Sequence, residues 1–505
     1  MALPKICGIE TEYGIISRGM ELTPMLASAL LVSSYASGVE IKIGWDFLDE
    51  SPHIDARGIA QGNAIFPEIE SSMPNMVLTN GARYYVDHAH PEVSTPECLR
   101  PSEVVLFDRA AEEVIRNSMA NASVPMGEGV ELIAYKNNSD GKGNSYGCHE
   151  NYLLDRNLPF EKIAQQIVSH FVTRQIFTGA GKVGVENQRE GELPVAFQLS
   201  QRADFFEEFM GLETTLKRPL VNTRDEPHAD NKKYRRLHVI VGDANMSEVA
   251  TFLKVGTTAL ILAMIEDDWY PQEWQIVDPV DQYRFISHDV SLNHKVLLVN
   301  GQHVTALEFQ EMLLERTDEY LASGVTDPTS GDAPLIMSKW KQVLEGLRKD
   351  PDSLTHIVDW IAKKKLVEGY ASRHKLSPFD VKLKAIDLQY HDMRAEKCLA
   401  NRVGLETMVS VEEVQSAMVQ PPESTRAYFR GRCVAQWPRD IVAANWDSVV
   451  FDIGEPTLKR VPMTEPFKGT KEIVGELLDS VDTAAQLLDL LQEVENTHAA
   501  PDPGW

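Results

Sequence analysis

The residues best suited to chemistry stand near the N-terminus, in Gly8-Ile9-Glu10-Thr11-Glu12-Tyr13-Gly14. In an extended strand alternate side chains share a face. Glu10 and Glu12 then lie together with Gly8 and Gly14, about 7 Å apart by strand rise, while Ile9, Thr11, Tyr13 and Ile15 turn toward a core. Two carboxylates on one face, with glycines leaving room beside them, suit a hard oxygen-seeking cation such as Mg²⁺. The same i, i+2 pairing returns in Arg83/Tyr85/Asp87, His149/Asn151 and Arg236/His238. Four such groups on neighbouring strands predict a concave polar face lined by acids, imidazoles and arginines. Carboxylates with histidine nitrogens fit Mg²⁺ or Mn²⁺, and arginines fit phosphate oxygens bidentately. That points to nucleotide phosphate chemistry. A solvent-facing polar row or a network of salt bridges has the same spacing, and spacing alone does not separate these readings.

Two other motifs fail on inspection. Gly179-Ala180-Gly181-Lys182-Val183-Gly184 resembles a phosphate loop, but Val follows the lysine where Ser or Thr is needed. It reads as a turn that ends a helix. His149-Glu150-Asn151-Tyr152-Leu153 opens like a zinc-protease helix, but Leu153 stands where the second histidine belongs.

The elements that must position these residues follow from periodicity. Thr23-Pro24 predicts an N-capped helix running to about Ser37. Residues 41–74 show neither helical nor strand period and read as a mobile loop inserted between two core elements. Strands are expected at Met76–Asn80 and Ala82–His88, followed by turn-rich His90-Pro91-Glu92 and Ser94-Thr95-Pro96-Glu97. Ser102 should cap an amphipathic helix through Ile115, and Val130–Lys136 and Ser145–Leu153 should pair as a hairpin across a polar turn. A helix from Phe160 to Phe177 ends at Gly179, and strands are expected near 195–199 and 237–241. Helices dominate 247–400, including Phe309–Leu321, Leu335–Leu347, Leu354–Val367 and Val381–Leu399. Strands come first and helices after, without βαβ alternation, so the class is α+β with a mostly antiparallel sheet. Gln420-Pro421-Pro422-Glu423 marks a boundary near residue 425, giving a catalytic domain over 1–424 and a small C-terminal domain over 425–505.

Composition narrows the function. Lys and Arg total 49 against 75 Asp and Glu, a net charge of -26, which argues against nucleic acid as a partner. An acidic ligand remains possible where arginines and a cation reverse the local field. Five scattered cysteines without a CxxC pair fit neither a disulfide framework nor structural zinc. No signal peptide is visible, and the most apolar helix, Val249–Ile265, is broken by Lys254 and Gly256, so a cytoplasmic protein with no membrane partner is expected.

Beyond the polar pairs, longer segments carry a resemblance. Gly8–Gly14, Asn80–Asp87, His90-Pro91-Glu92, Asn144–Tyr152, Arg235-Arg236-Leu237-His238, Gly242–Glu248, Asp387–Asp392 and Ala444–Ser448 together resemble the Pup ligase/depupylase family, from one end of the chain to the other. That family belongs with glutamine synthetase to the carboxylate-amine ligase superfamily. The resemblance implies a glutamine synthetase-like curved sheet flanked by helices, cradling ATP and Mg²⁺. One branch joins the C-terminal glutamate of Pup, a small ubiquitin-like protein, to lysines of target proteins. The other removes Pup from pupylated proteins and deamidates Pup ending in glutamine. The 41–74 insertion and the wording Val86-Asp87-His88-Ala89-His90-Pro91 resemble the second branch, and hence the Pup–proteasome pathway.

Carried over by position, the resemblance implies Glu10, Tyr85, Glu92 and His238 as Mg²⁺ ligands, with Glu12 beside them. It implies Arg83, Thr95, Asn151, Arg236 and Trp446 as ATP contacts, His149 on metal or phosphate, and Arg202 and Arg224 as clamps for phosphate or for Pup's carboxylate. Asp87 is the expected catalytic residue, as nucleophile or as base and orienter. Acidic Pup is expected to bind chiefly through apolar contact, helped near the catalytic end by Lys217, Arg218, Lys232 and Lys233. Pup ligase, a small-molecule glutamate–amine ligase and an inactive nucleotide-sensing scaffold are the competing readings.

Overall fold

The computed structural model describes residues 2–35, 43–48, 50–59, 73–127, 129–186 and 188–497. Its organising element is one ten-stranded sheet. In chain order the strands are β1 (Cys7–Glu12), β2 (Gly44–Trp45), β3 (Asn75–Val77), β4 (Arg83–Asp87), β5 (His90–Ser94), β6 (Cys148–Asp155), β7 (Tyr234–Val239), β8 (Ile441–Ala444), β9 (Ser448–Phe451) and β10 (Lys459–Pro462). In space they run β7-β6-β1-β5-β4-β3-β2-β8-β9-β10. Every adjacent pair is antiparallel except β2 and β8, which run parallel with Ala443 opposite Gly44 and Ala444 opposite Trp45.

Alternation along the strands sends one set of side chains into the core. Ile9, Tyr84, Val86, Val93, Tyr152 and Leu154 are buried there against α1 (Pro24–Tyr35), α2 (Pro101–Met126), α3 (Phe160–Thr173) and α4 (Glu248–Glu266). Thr23 Oγ1 accepts from Leu26 N at 3.3 Å at the start of α1, the cap its sequence predicts. Helix α4 is capped by Ser247, whose hydroxyl accepts from Ala250 N at 3.2 Å. Among the described helices, α4 alone is long and apolar enough to cross a membrane, and it is buried along its whole length inside the protein.

A second core gathers the C-terminal elements. Phe429, Cys433, Val449, Phe451, Val474 and Leu487 pack together with Ile43, Trp45 and Val77 from the N-terminal part of the chain. The sheet thus continues without a break from the first core across β2 into the last three strands.

Five expectations change. Residues 43–48 and 50–59 of the segment read as a mobile loop are placed. Gly44–Trp45 is a sheet strand and Trp45 is buried. The chain then crosses to the 223–225 turn, where Ala56 N donates to Thr223 O at 2.8 Å and Asp225 N donates to Ile54 O at 2.9 Å. Most of the remainder, 41–42, 49 and 60–72, lies outside the described residues. His90–Ser94 is a strand rather than a turn, joined to β4 by a two-residue hairpin in which His88 takes φ 51°. Pro91 is tolerated because it stands at the end of the β1 pairing, where its carbonyl still accepts from Tyr13 N at 2.9 Å and only the return N–H is missing. Glu131–Tyr135 pairs with Gly14–Arg18 rather than forming a hairpin with β6, because β1 takes β6 as its neighbour. Finally, α2 begins at Pro101 and runs to Met126, while only Leu383–Tyr390 of the expected 381–399 helix is one.

Candidate active site

The face of the sheet opposite the core carries the polar residues in cross-strand rows. In one row Glu12 sits opposite Glu92, and Glu92 opposite Tyr85. In the next, His149 is opposite Glu10, Glu10 opposite Ser94, and Ser94 opposite Arg83. A third pairs His238 with Asn151 and Asn151 with Gly8. Register alone therefore brings together Glu10, Glu12, Arg83, Tyr85, Asp87, Glu92, His149, Asn151, Arg236 and His238 in one trough.

Within it, ligand atoms of Glu10, His149 and His238 lie within 4.8 Å of one another. His149 Nδ1 is 3.5 Å from Glu10 Oε2. Asn151 Nδ2 donates to Glu10 Oε1 at 2.7 Å, and Asn151 Oδ1 accepts from Arg236 Nη1 at 2.6 Å. Burial pushes the Glu10 carboxyl up, but the hydrogen bond with His149 and the charge of Arg236 hold it well below the usual carboxylate range. Burial, reinforced by Arg236 and His149, keeps His238 neutral, the form that offers a ring nitrogen to a metal. Glycine is required beneath this cluster. A Cβ on Gly147 would stand 2.3 Å from His149 Nε2, so any other residue would displace the ring.

Ligand atoms of Glu12, Asp87 and Glu92 form a second group, also within 4.8 Å of one another. Burial pushes Glu12 up, but His90, whose Nδ1 is 3.3 Å away, and His149 bring it down to about 2. Glu92 goes the other way. Burial, then Asp87, Glu12 and Glu10, push its carboxyl well above the usual range. Two ionised carboxylates this close repel by roughly 3 kcal/mol at an effective dielectric of about 20, so the trio calls for a proton or a cation. Tyr85 is likewise pushed up, by burial and by Glu92. The Asp87 side chain is 33% exposed, whereas Glu92 is 2% exposed as a residue, which leaves Asp87 the member of the trio a large substrate can reach.

A cavity opens beside the first cluster, between β1, β6 and the C-terminal core. Glu10, Asn151 and Arg236, which hydrogen-bond in a row, line it, and so do Trp446, Arg426 and Pro466. Thr95 lies on its wall, its Oγ1 accepting from Ile9 N at 3.0 Å. Arg83 is sandwiched between the rings of Trp45 (4.0 Å) and Tyr85 (3.9 Å). Trp446 meets Trp45 edge-on with ring centroids 5.2 Å apart.

The remaining two arginines are placed differently. Arg202 is fully buried, and its guanidinium donates to the backbone oxygens of Ile240 and Gly242 and to Ser145 Oγ. Arg224 lies on the turn that receives Ile54 and Ala56, its Nε buried without an acceptor.

Sequence reasoning missed several residues here. Glu97 accepts from Arg426 Nε at 2.8 Å and from both terminal nitrogens of Arg430. Burial pushes Glu97 up, but these two guanidiniums bring it down to about 2. Arg430 also reaches Trp446 O at 3.0 Å and lies 5.0 Å over its ring, so this group fastens the tryptophan to the β5 end of the sheet. Glu226 and His228 were missed too. No spacing signal marks Glu97, whose contacts join segments far apart in sequence, whereas Glu226 and His228 stand two apart and face each other.

Comparison with known proteins adds the following. The profile of the Pup-ligase protein family matches residues 5–450. A protein from Acidothermus cellulolyticus named depupylase is 46% identical over 96% of this chain and 99% of its own length. One from Mycolicibacterium smegmatis named Pup deamidase/depupylase is 44% identical over 97% of this chain and 100% of its own. A Pup–protein ligase from Kineococcus radiotolerans is 40% identical over 81% of this chain and 90% of its own. Among solved structures, the complex between Pup and its ligase PafA superposes with a TM-score of 0.78 at 27% identity, covering 99% of this chain and 96% of that one. The ligase in complex with ADP gives 0.73 at 30% identity, covering 86% and 98%.

Proposed function

Because the chain belongs to the Pup-ligase protein family, we propose that it is an enzyme of the Pup-removing kind. It hydrolyses the isopeptide bond between the C-terminal glutamate of Pup and a substrate lysine, and deamidates a C-terminal glutamine of Pup to glutamate. The observation that carries this reading over the ligase one is whole-chain likeness. The relatives named for removing Pup are the more similar and match the chain end to end, whereas the ligase leaves a fifth of it uncovered.

Nucleotide is the cofactor of this reading, as ATP with Mg²⁺; a related ligase binds ADP. The donor set supports a hard cation: every ligand atom is a carboxylate oxygen or imidazole nitrogen, and the excess negative charge around Glu92 is what a cation relieves. Glu10, Tyr85, Glu92 and His238, with Glu12 and His149 adjoining, would hold the metal. Arg83, Thr95, Asn151 and Arg236 would hold the phosphates, and Trp446 would stack on the base. Arg202 and Arg224 are kept as anion clamps at the margins. A magnesium ion held there would supply positive charge for the oxyanion that develops on the scissile amide.

Asp87 works on that amide as the catalytic carboxylate. The C–N bond breaks, a water oxygen ends on the carbonyl carbon, and the leaving amine takes a proton. On the same reading, residues 1–424 are the catalytic unit and 425–505 a small unit that contributes Trp446. The enzyme acts in the cytoplasm, in the Pup–proteasome pathway.

The test is to incubate the protein with ATP, Mg²⁺ and Pup ending in glutamine and measure ammonia. Ammonia released without a lysine acceptor is the expected result. Accumulation of Pup–lysine conjugates with Pup ending in glutamate, and no ammonia from the glutamine form, would transfer the protein to the ligase branch.

A further inference from the structure

One residue on the cavity wall has no role in the account above. His228 follows Pro227 and takes φ 47°, the left-handed region that side chains other than those of Gly, Asn, Asp and His seldom adopt. Such conformations persist where the surroundings demand them, commonly at ligand sites. Its imidazole is 18% exposed and lines the cavity together with Arg236, which holds Asn151 of the metal cluster, and Arg426, which shares Glu97 with the arginine beside Trp446. The charged groups around it are Glu226, whose Oε2 is 3.7 Å from Nε2, together with Arg236, Arg426 and Glu10. Among the described residues it makes no hydrogen bond, only this loose approach. A partly exposed ring that makes no close hydrogen bond on a cavity wall is open to whatever fills the cavity.

The chemistry of that ligand follows from position and charge state. Burial pushes the imidazole down to about 3; Arg236 and Arg426 add to this and Glu226 opposes it. The neutral ring offers one donor and one acceptor, which is what a hydroxyl needs. His228 feels both Arg236, on the side read as fitting phosphates, and Arg426, on the side read as fitting a base, and a nucleotide carries its sugar between the two. We propose that His228 binds a ribose hydroxyl of the nucleotide and sets a preference for ribo- over deoxyribonucleotides. This rests on the nucleotide reading of the cavity.

The left-handed backbone decides which variants test it. His228→Gly removes the ring without straining φ, and His228→Asn keeps a donor and an acceptor in a residue that tolerates the same φ. Binding of ATP, 2′-deoxy-ATP and 3′-deoxy-ATP with Mg²⁺ is measured by calorimetry on the full chain, with thermal melts to confirm folding. The native protein should prefer ATP over at least one deoxy analogue by about tenfold, the worth of one hydrogen bond. In H228G, ATP binding should weaken by about tenfold and the preference fall to about twofold or less, with partial recovery in H228N. An undiminished preference in H228G, or an equal loss for all three nucleotides, would overturn the assignment and leave the cavity a nucleotide site. Failure of the native protein to bind any of the three would overturn the nucleotide reading itself, and this assignment with it.

Discussion

Two trios of ligand atoms lie side by side on one sheet face, and the protein treats their charge in opposite ways. Around Glu10, a carboxylate meets two imidazoles with Arg236 behind them, and the carboxyl is held ionised although burial opposes it. Around Glu92, three carboxylates meet, with His90 beside Glu12 and His88 beside Asp87, and Glu92 is driven toward its protonated form. One cluster is balanced by its own neighbours. The other carries a deficit that a proton or a cation must fill. Folding has thus prepared two kinds of ligand set from the same residue types, and the second is where a cation gains most by binding.

The largest test of this contrast concerns the exposed member of the unbalanced trio. Asp87→Asn should lower ammonia release by roughly 10³-fold, the scale of a lost acid–base or nucleophilic group. Nucleotide affinity, measured by titration, should stay within about threefold. Comparable losses in both would make Asp87 a binding residue instead.

Next come the two buried glutamates. In metal-free buffer near neutral pH, Glu92→Gln should raise the melting temperature by a few degrees, since it removes a repelled carboxylate. Glu10→Gln should lower it by about as much, since it removes an anchored one. Both should raise the Mg²⁺ concentration needed for half-maximal activity by about tenfold. Melting shifts of the same sign would erase the distinction between the clusters.

The smallest effect is a pH dependence. Glu92 has its folded pKa raised, so its contribution to stability is complete below the unfolded value and is lost as pH rises through the folded one. Glu10 has its folded pKa lowered, so its contribution is present above the unfolded value and is lost as pH falls through the folded one. A cation offsets the first loss. The rise in melting temperature on adding Mg²⁺ should therefore be a few degrees larger at pH 8 than at pH 5, as followed by calorimetry. An equal rise at both would mean that Glu92 is not the group relieved.

Much of this trough was legible in the sequence because a strand has a period of two. Glu10/Glu12, Arg83/Tyr85/Asp87 and His149/Asn151 reveal their shared faces to any reader of alternation, and the α+β class follows from the order of elements. The strand that carries Glu92 was hidden by His90-Pro91, whose composition reads as a turn; only its register against β1 makes Pro91 harmless. Gly44–Trp45 was hidden by its length, since two residues cannot display a period. The Glu97–Arg430 pair was out of reach, because 333 residues separate its members and nothing local marks either one. Trp446 came from family resemblance rather than from periodicity. The reason it faces this cavity lies in the long-range pair that holds it.

The parallel pairing of Gly44–Trp45 with Ala443–Ala444 has a consequence for biosynthesis. A chain emerging from the ribosome N-terminus first presents strand 44–45 some 400 residues before its neighbour exists, and closing so distant a contact is slow and comes late. The wall bearing Trp446 is in place only once nearly the whole polypeptide has been made. A truncated translation product would hold most of its acidic groups in order yet lack the far side of the cleft, so premature termination yields an inert fragment rather than an unregulated hydrolase.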